Sequence, residues 1–173
     1  MKINLERQRL GSRDSQEFYF DTPGSDGYLE ESGGEYRENL EVKGLVEKSG
    51  KHYRAHGQVK TALELQCSRC LESFYYPVVA QFQLNLVESK YQAEYFRDED
   101  VVFFSSDEVE IQPYVEGLIF SEIPLTPLCS PNCKGICQQC GINRNMAQCQ
   151  CLYENTDPRW DKLKNLKAGK EVT

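Results

Sequence analysis

Residues 53–86, YRAHGQVKTALELQCSRCLESFYYPVVAQFQLNL, decide the fold. Tyr53, Ala55, Gly57, Val59, Thr61, Leu63 and Leu65 take every second position, with mostly charged or polar residues between them. Successive side chains of a strand point to opposite faces, so a period of two predicts one buried face and one wet face. The alternation resumes with Phe74, Tyr76, Val78, Ala80, Phe82, Leu84 and Leu86. Cys67-Ser68-Arg69-Cys70 lies between the two runs, which predicts two long antiparallel strands joined at a cysteine turn. His52 and His56 have the i,i+4 spacing of a helical zinc pair. On this strand they fall with Arg54, Gln58, Lys60 and Glu64 on the polar face, where solvation is expected.

Working outward, Met1–Leu5 and Glu17–Phe20 are short extended candidates, and Leu40 and Val42 alternate as the strand before the hairpin. Residues 21–36 (DTPGSDGYLEESGGEY) have loop chemistry and predict a mobile excursion or a broad connection. Val101–Phe104 is a further short strand candidate. Ile111, Val115, Leu118, Ile119 and Ile123 recur at helical spacing, with Pro113 near the start and Pro124 closing the run, so a helix is expected to cover the sheet. Asp157-Pro158 is a helix entrance. Trp160, Leu163 and Leu166 then fall on one side, and Lys162, Lys164 and Lys167 largely on another.

The chain has 173 residues and a formal charge of −7, with 39% apolar residues. That length suits one main core with a small appendage. The acidic balance excludes a protein that coats nucleic acid with a uniformly positive surface, so any RNA contact must be local. No apolar run approaches a membrane span, and the charged start MKINLERQRLGSRD has no apolar signal core, which predicts a cytoplasmic protein. Residues 88–122 carry ten acids against Lys90 and Arg97, expected to be mainly solvated.

The eight cysteines are Cys67, Cys70, Cys129, Cys133, Cys137, Cys140, Cys149 and Cys151. In a reducing compartment, dense Cys-x-x-Cys spacing favours metal over disulfides, and zinc takes four thiolates tetrahedrally. The favoured partition puts Cys67, Cys70, Cys129 and Cys133 on one ion and Cys137, Cys140, Cys149 and Cys151 on another. The alternative groups the four cysteines from 129 to 140 and sends Cys149 and Cys151 to the hairpin. One or two structural zinc ions are expected, with two favoured. Alternate residues of a straight strand diverge, so Cys149-Gln150-Cys151 must bend if both sulfurs serve one ion. With four thiolates per ion no position remains for a reacting water, so the sites read as structural. The sequence shows no phosphate loop and no supported nucleophile arrangement, so no enzyme is expected. Lys134, Arg144, Arg159 and Lys162 are candidate RNA-phosphate contacts at the positive end of the chain.

The chain carries Cys67-Ser68-Arg69-Cys70-Leu71, Ile123-Pro124-Leu125-Thr126-Pro127-Leu128-Cys129 running into Cys133-Lys134-Gly135-Ile136-Cys137, then Cys140-Gly141, Asn143-Arg144-Asn145, Cys149-Gln150-Cys151 and Asp157-Pro158-Arg159-Trp160. In this ordered combination it resembles the YceD family, large ribosomal RNA subunit accumulation proteins. The resemblance covers roughly residues 36–167. It implies a noncatalytic role in accumulation of 23S rRNA and in large-subunit biogenesis. The implied partner is a pre-50S particle, reached through a ribosomal or assembly protein and through 23S rRNA at most locally; no membrane or small-molecule substrate is implied. A zinc-stabilised interaction or regulatory module unrelated to ribosomes is the alternative.

The expected architecture is therefore α+β: a predominantly antiparallel β-sheet, curled towards a barrel, with a covering helix and a C-terminal zinc-ribbon-like segment. Residues 1–128 would form the β-rich domain, with a flexible loop at about 21–36. Residues 129–173 would form the cysteine-rich segment and its terminal helix.

Overall fold

The computed structural model describes residues 1–11, 15–25, 27, 29, 34–94 and 101–151. The centre is the hairpin of β5 (His52–Gln66) and β6 (Ser73–Glu88), antiparallel and in unbroken register from His52 opposite Val87 to Gln66 opposite Ser73. The alternation in the sequence becomes the two faces of this ribbon. Tyr53, Ala55, Val59, Leu63 and Leu65 are buried with Val78, Ala80, Phe82 and Leu86, while Tyr75, Val79, Gln81 and Gln83 face out. His52 and His56 are half-buried, drier than expected for the polar face.

β4 (Leu40–Ser49) adds antiparallel to β5, and β2 (Ser15–Thr22) adds antiparallel to β4. The short β3 (Glu35–Tyr36) continues the edge of β5 beyond β4. Phe18, Gly44, Gly57 and Phe82 stand in one row across four strands, and the two phenyl rings approach to 6.3 Å over the glycines. Glycine is required in this row. A Cβ at position 57 would lie 2.2 Å from the Lys43 carbonyl oxygen, well inside contact distance.

After β6 a 3₁₀ turn (Ser89–Glu94) leads towards β7 (Val101–Phe104), which pairs parallel with the end of β6. β1 (Lys2–Asn4), which leads into the one-turn helix α1 (Glu6–Arg9), and β8 (Glu108–Glu110) form a separate two-stranded sheet, and α2 (Gln112–Ser121) follows β8. Ile3 and Leu5, with Val109, Ile111, Val115 and Ile119, complete the core over the inner face of the large sheet. α2 starts where Pro113 costs no hydrogen bond and stops before Pro124.

The sheet does not close into the expected barrel. The large sheet runs β2-β4-β5-β6-β7 and is open, because β2 and β7 do not pair with each other. Closure would require an edge strand to return beside β2. Instead the small sheet and α2 cover the inner face, and β7 is added by a parallel crossover. The architecture is α+β with a mixed sheet, antiparallel except for β6 and β7.

The described part of the 21–36 connection is anchored. Leu29 is fully buried, and Glu116 on α2 accepts hydrogen bonds from the Ser25 amide (2.9 Å) and hydroxyl (2.6 Å). The helix expected from Asp157 lies outside the described residues.

Candidate metal centre

The hairpin turn presents the first two sulfurs. Cys67 directly follows β5, the Cys67 amide donates to the Glu72 carbonyl (2.9 Å), and the Leu71 amide returns to the Cys67 carbonyl (2.9 Å). This turn needs a left-handed residue after Cys70, and Leu71 supplies it at φ 61°. A residue with a Cβ pays strain there, commonly about 1–2 kcal/mol. Leu71 nevertheless leaves its side chain exposed.

The segment after α2 reaches the same place. Ser68 donates its amide to Pro127 (2.8 Å), which lays residues 124–129 beside the turn, and Cys133 follows after a tight loop closed by its own amide on Ser130 (3.0 Å). The four sulfurs of Cys67, Cys70, Cys129 and Cys133 all lie within 4.8 Å of one another. Cys67 and Cys133 sulfurs are 3.8 Å apart, and those of Cys70 and Cys129 are 3.6 Å apart. Zinc–sulfur bonds of about 2.3 Å at tetrahedral angles imply sulfur–sulfur edges of roughly 3.8 Å, whereas a disulfide needs about 2.05 Å. The spacing fits a tetrahedral ion. All eight cysteines are free thiols in the structure.

Cys137, Cys140, Cys149 and Cys151 form the second group, again with every sulfur within 4.8 Å of the others. Its turn repeats the first: the Gly141 amide donates to the Cys137 carbonyl (2.8 Å), and Gly141 takes φ 73°. Here glycine holds the position that leucine holds in the hairpin. Ile136 and Asn143 bridge across this loop, and Cys137 donates to Ile142 (2.8 Å). Cys149–Cys151 belong to no strand, so the divergence of alternate residues does not keep their sulfurs apart. The favoured partition is thus the one the fold brings together. Among the described residues the two cysteine groups are the only clusters suited to a metal, and neither histidine joins them.

The two groups are physically linked. Ile136 donates to the Arg69 carbonyl (3.0 Å), and Arg69 Nη1 donates to the Cys133 carbonyl (3.1 Å). Asn145, from the loop between Cys140 and Cys149, donates through Nδ2 to the Cys133 sulfur (3.2 Å) and accepts the Lys134 amide on Oδ1 (2.8 Å). Cysteine spacing does not single out Arg69 or Asn145; their sequence signal is their presence in the Cys67–Leu71 and Asn143–Asn145 motifs.

Electrostatics divide the first group. Burial raises the Cys67 thiol, but donation from the Cys129, Cys70 and Arg69 amides outweighs it and brings the pKa down to about 6. Cys133 is lowered chiefly by the Asn145 amide, against the opposing effect of burial. Cys129 is pushed up to about 12 by burial and then by its sulfur neighbours, and Cys151 to about 12 by Cys140 first and burial second. Four crowded sulfurs cannot all carry charge without a cation among them. A divalent ion removes that conflict, which is the fit expected of a zinc site.

Lys134 and Arg144 lie close together on the exposed surface, because the Arg144 amide donates to Gly135 (2.9 Å). No Asp or Glu occurs from Ile123 to Cys151. Arg159 and Lys162 lie outside the described residues.

An α+β protein whose sheet hairpin meets a following cysteine-rich segment in one four-cysteine group, with a second such group inside that segment, is the class defined by this geometry. The family model described as large ribosomal RNA subunit accumulation protein YceD matches residues 55–167, and the chain belongs to that family. The chain is 30% identical over 183 residues to the maize (Zea mays) large ribosomal RNA subunit accumulation protein YCED homolog 1, chloroplastic, covering 87% of this chain and 62% of the relative. It is 30% identical over 135 residues to the Arabidopsis thaliana protein of the same description, covering 62% and 42% respectively. An uncharacterized protein of Mycobacterium tuberculosis is 28% identical over 103 residues, covering 57% of this chain and 47% of the relative. The chain thus spans less than two thirds of these relatives' length. No solved structure matches.

Proposed function

We propose that this protein is a noncatalytic factor in 23S rRNA accumulation and large ribosomal subunit biogenesis, with a structural zinc ion in each four-cysteine group. Membership of the YceD family supports the process. One observation carries the mechanism: Cys67 and Cys70 from the hairpin meet Cys129 and Cys133, about sixty residues away in sequence, at sulfur spacings suited to one ion. Four thiolates leave no open coordination position, so the ions act by fixing the cysteine-rich segment against the end of the sheet. The resulting rigid end docks on a pre-50S particle through a ribosomal or assembly protein. Lys134 and Arg144 make local phosphate contacts with 23S rRNA, a limited role that suits a chain of charge −7. A cytoplasmic setting suits the reduced thiols.

The test is depletion followed by complementation. Loss of the protein is expected to lower 23S rRNA and free 50S subunits, with recovery by the wild-type chain but not by Cys67→Ser combined with Cys133→Ser. Unchanged 23S levels and subunit profiles after depletion would overturn the proposal.

A further inference from the structure

Among the described residues, β6 is an open edge along most of its length. Its outer side meets β7 only from Asn85 to Glu88, and among the described residues nothing pairs with the edge from Ser73 to Leu84. Ser73–Val87 contains no charged residue, in a chain that is 27% charged. Long free edges are ordinarily protected by charge, bulges or short length, because their open N–H and C=O groups template another strand. The edge at β2 follows that rule, with Glu17 and Asp21. β6 has only Pro77.

Pro77 also tells which backbone groups are free. It stands opposite Ala62 and has no N–H to give, so its backbone faces away from β5. The β5–β6 register has no bulge, so Tyr75, Val79, Gln81 and Gln83 share that outward orientation. Their side chains lie on the exposed face.

We propose that this edge pairs with the β6 edge of a second copy of the chain, antiparallel about a twofold axis at Val79. That register faces Val79 with Val79 of the other copy, Gln81 with Pro77 and Tyr75 with Gln83. It uses the available length, since the edge is bounded by the cysteine turn at one end and by β7 from Asn85 at the other. The uncharged strand brings no like charges into register, so its own copy is an acceptable partner. About eight inter-chain hydrogen bonds result, proline withholding two. The dimer joins two large sheets and sends their metal-binding ends in opposite directions. One strand pair is a small interface, so the dimer dissociates on dilution.

Sedimentation of the metal-loaded full chain over a concentration series tests this. A concentration-dependent dimer is expected. Val79→Lys places two ammonium groups opposite each other and weakens it about tenfold or more. Gln81→Pro removes an outward N–H without touching the β5 ladder and acts in the same direction, while Tyr19→Lys on β2 leaves the dimer intact. Circular dichroism and metal content show that each variant is folded. A chain that stays monomeric throughout the series overturns the proposal, as does a dimer indifferent to Val79→Lys and Gln81→Pro. A monomer that dimerises only after removal of residues 152–173 assigns the edge to the chain's own tail, and this also overturns it.

Discussion

The side-chain amide of Asn145 donates a 3.2 Å hydrogen bond to the sulfur of Cys133, so a residue from the loop of one cysteine group holds a ligand of the other. Donation to sulfur favours the thiolate over the thiol and fixes its direction. Residues that orient metal ligands commonly change metal affinity by about 10–100-fold when removed. Asn145→Ala is therefore expected to speed metal loss from the first group by roughly tenfold in a chelator competition assay. Asn145→Asp, which puts a carboxylate beside the thiolate, is expected to lose metal faster still. Equal release rates in all three proteins would show that the contact is incidental.

Metal affinity falls with pH in a direction set by the thiol values. Cys129 and Cys151, both near 12, are protonated at neutral pH in the metal-free chain, so binding must expel their protons and weakens as pH drops. Cys67, down to about 6 from 9.0, is already a thiolate at neutral pH. Its lowered value stabilises the metal-free fold fully above the unfolded value, and that contribution is lost as pH falls through about 6. Zinc titrations are expected to release protons at neutral pH, and the affinity to fall more steeply once Cys67 is also protonated. Metal uptake without proton release at pH 7 would contradict the assignment.

Leu71 and Gly141 occupy the same left-handed position in the two turns, at φ 61° and 73°. A Cβ at Gly141 would touch nothing within 4 Å, so Gly141→Ala isolates the backbone cost and should destabilise the ribbon by about 1 kcal/mol. Leu71→Gly relieves the corresponding strain and loses only an exposed side chain, so no fall in thermal stability is expected. A marked fall in melting temperature would mean that Leu71 packs in a way its exposure does not show.

Much of this arrangement is legible in the chain because it rests on periodicity or on cysteine spacing. The hairpin alternates without interruption, and the Cys-x-x-Cys pairs announce shared ions. What escapes such reading depends on single tertiary contacts. Leu71 lies where glycine is the ordinary signal, and Asn145 is one amide in a loop without a period. β7 is only four residues long and carries no mark of its parallel pairing. The openness of the sheet is set by which element covers its inner face. Glu116 reads as a solvated helix acid until Ser25, 91 residues away, is found bonded to it.

Glu116 is almost fully buried and also accepts from Gln112 Nε2 (2.8 Å). Removing this acceptor breaks both bonds from Ser25, itself an exposed residue, and the bond from Gln112, three contacts made to one ionised group. Glu116→Ala is expected to cost about 2 kcal/mol in denaturant unfolding, with faster proteolysis near residue 25 as the local sign of release. Unchanged stability and cleavage would show that the connection is held elsewhere.

The most direct measurement is native mass spectrometry of freshly purified, reduced protein, followed by unfolding in the presence of a strong chelator. Two zinc ions per chain are expected. Their removal should free the cysteine-rich segment while the strand content of the sheet persists. A chain without metal, whose hairpin turn and cysteine-rich segment stay equally protected from hydrogen exchange with and without the chelator, would contradict the account.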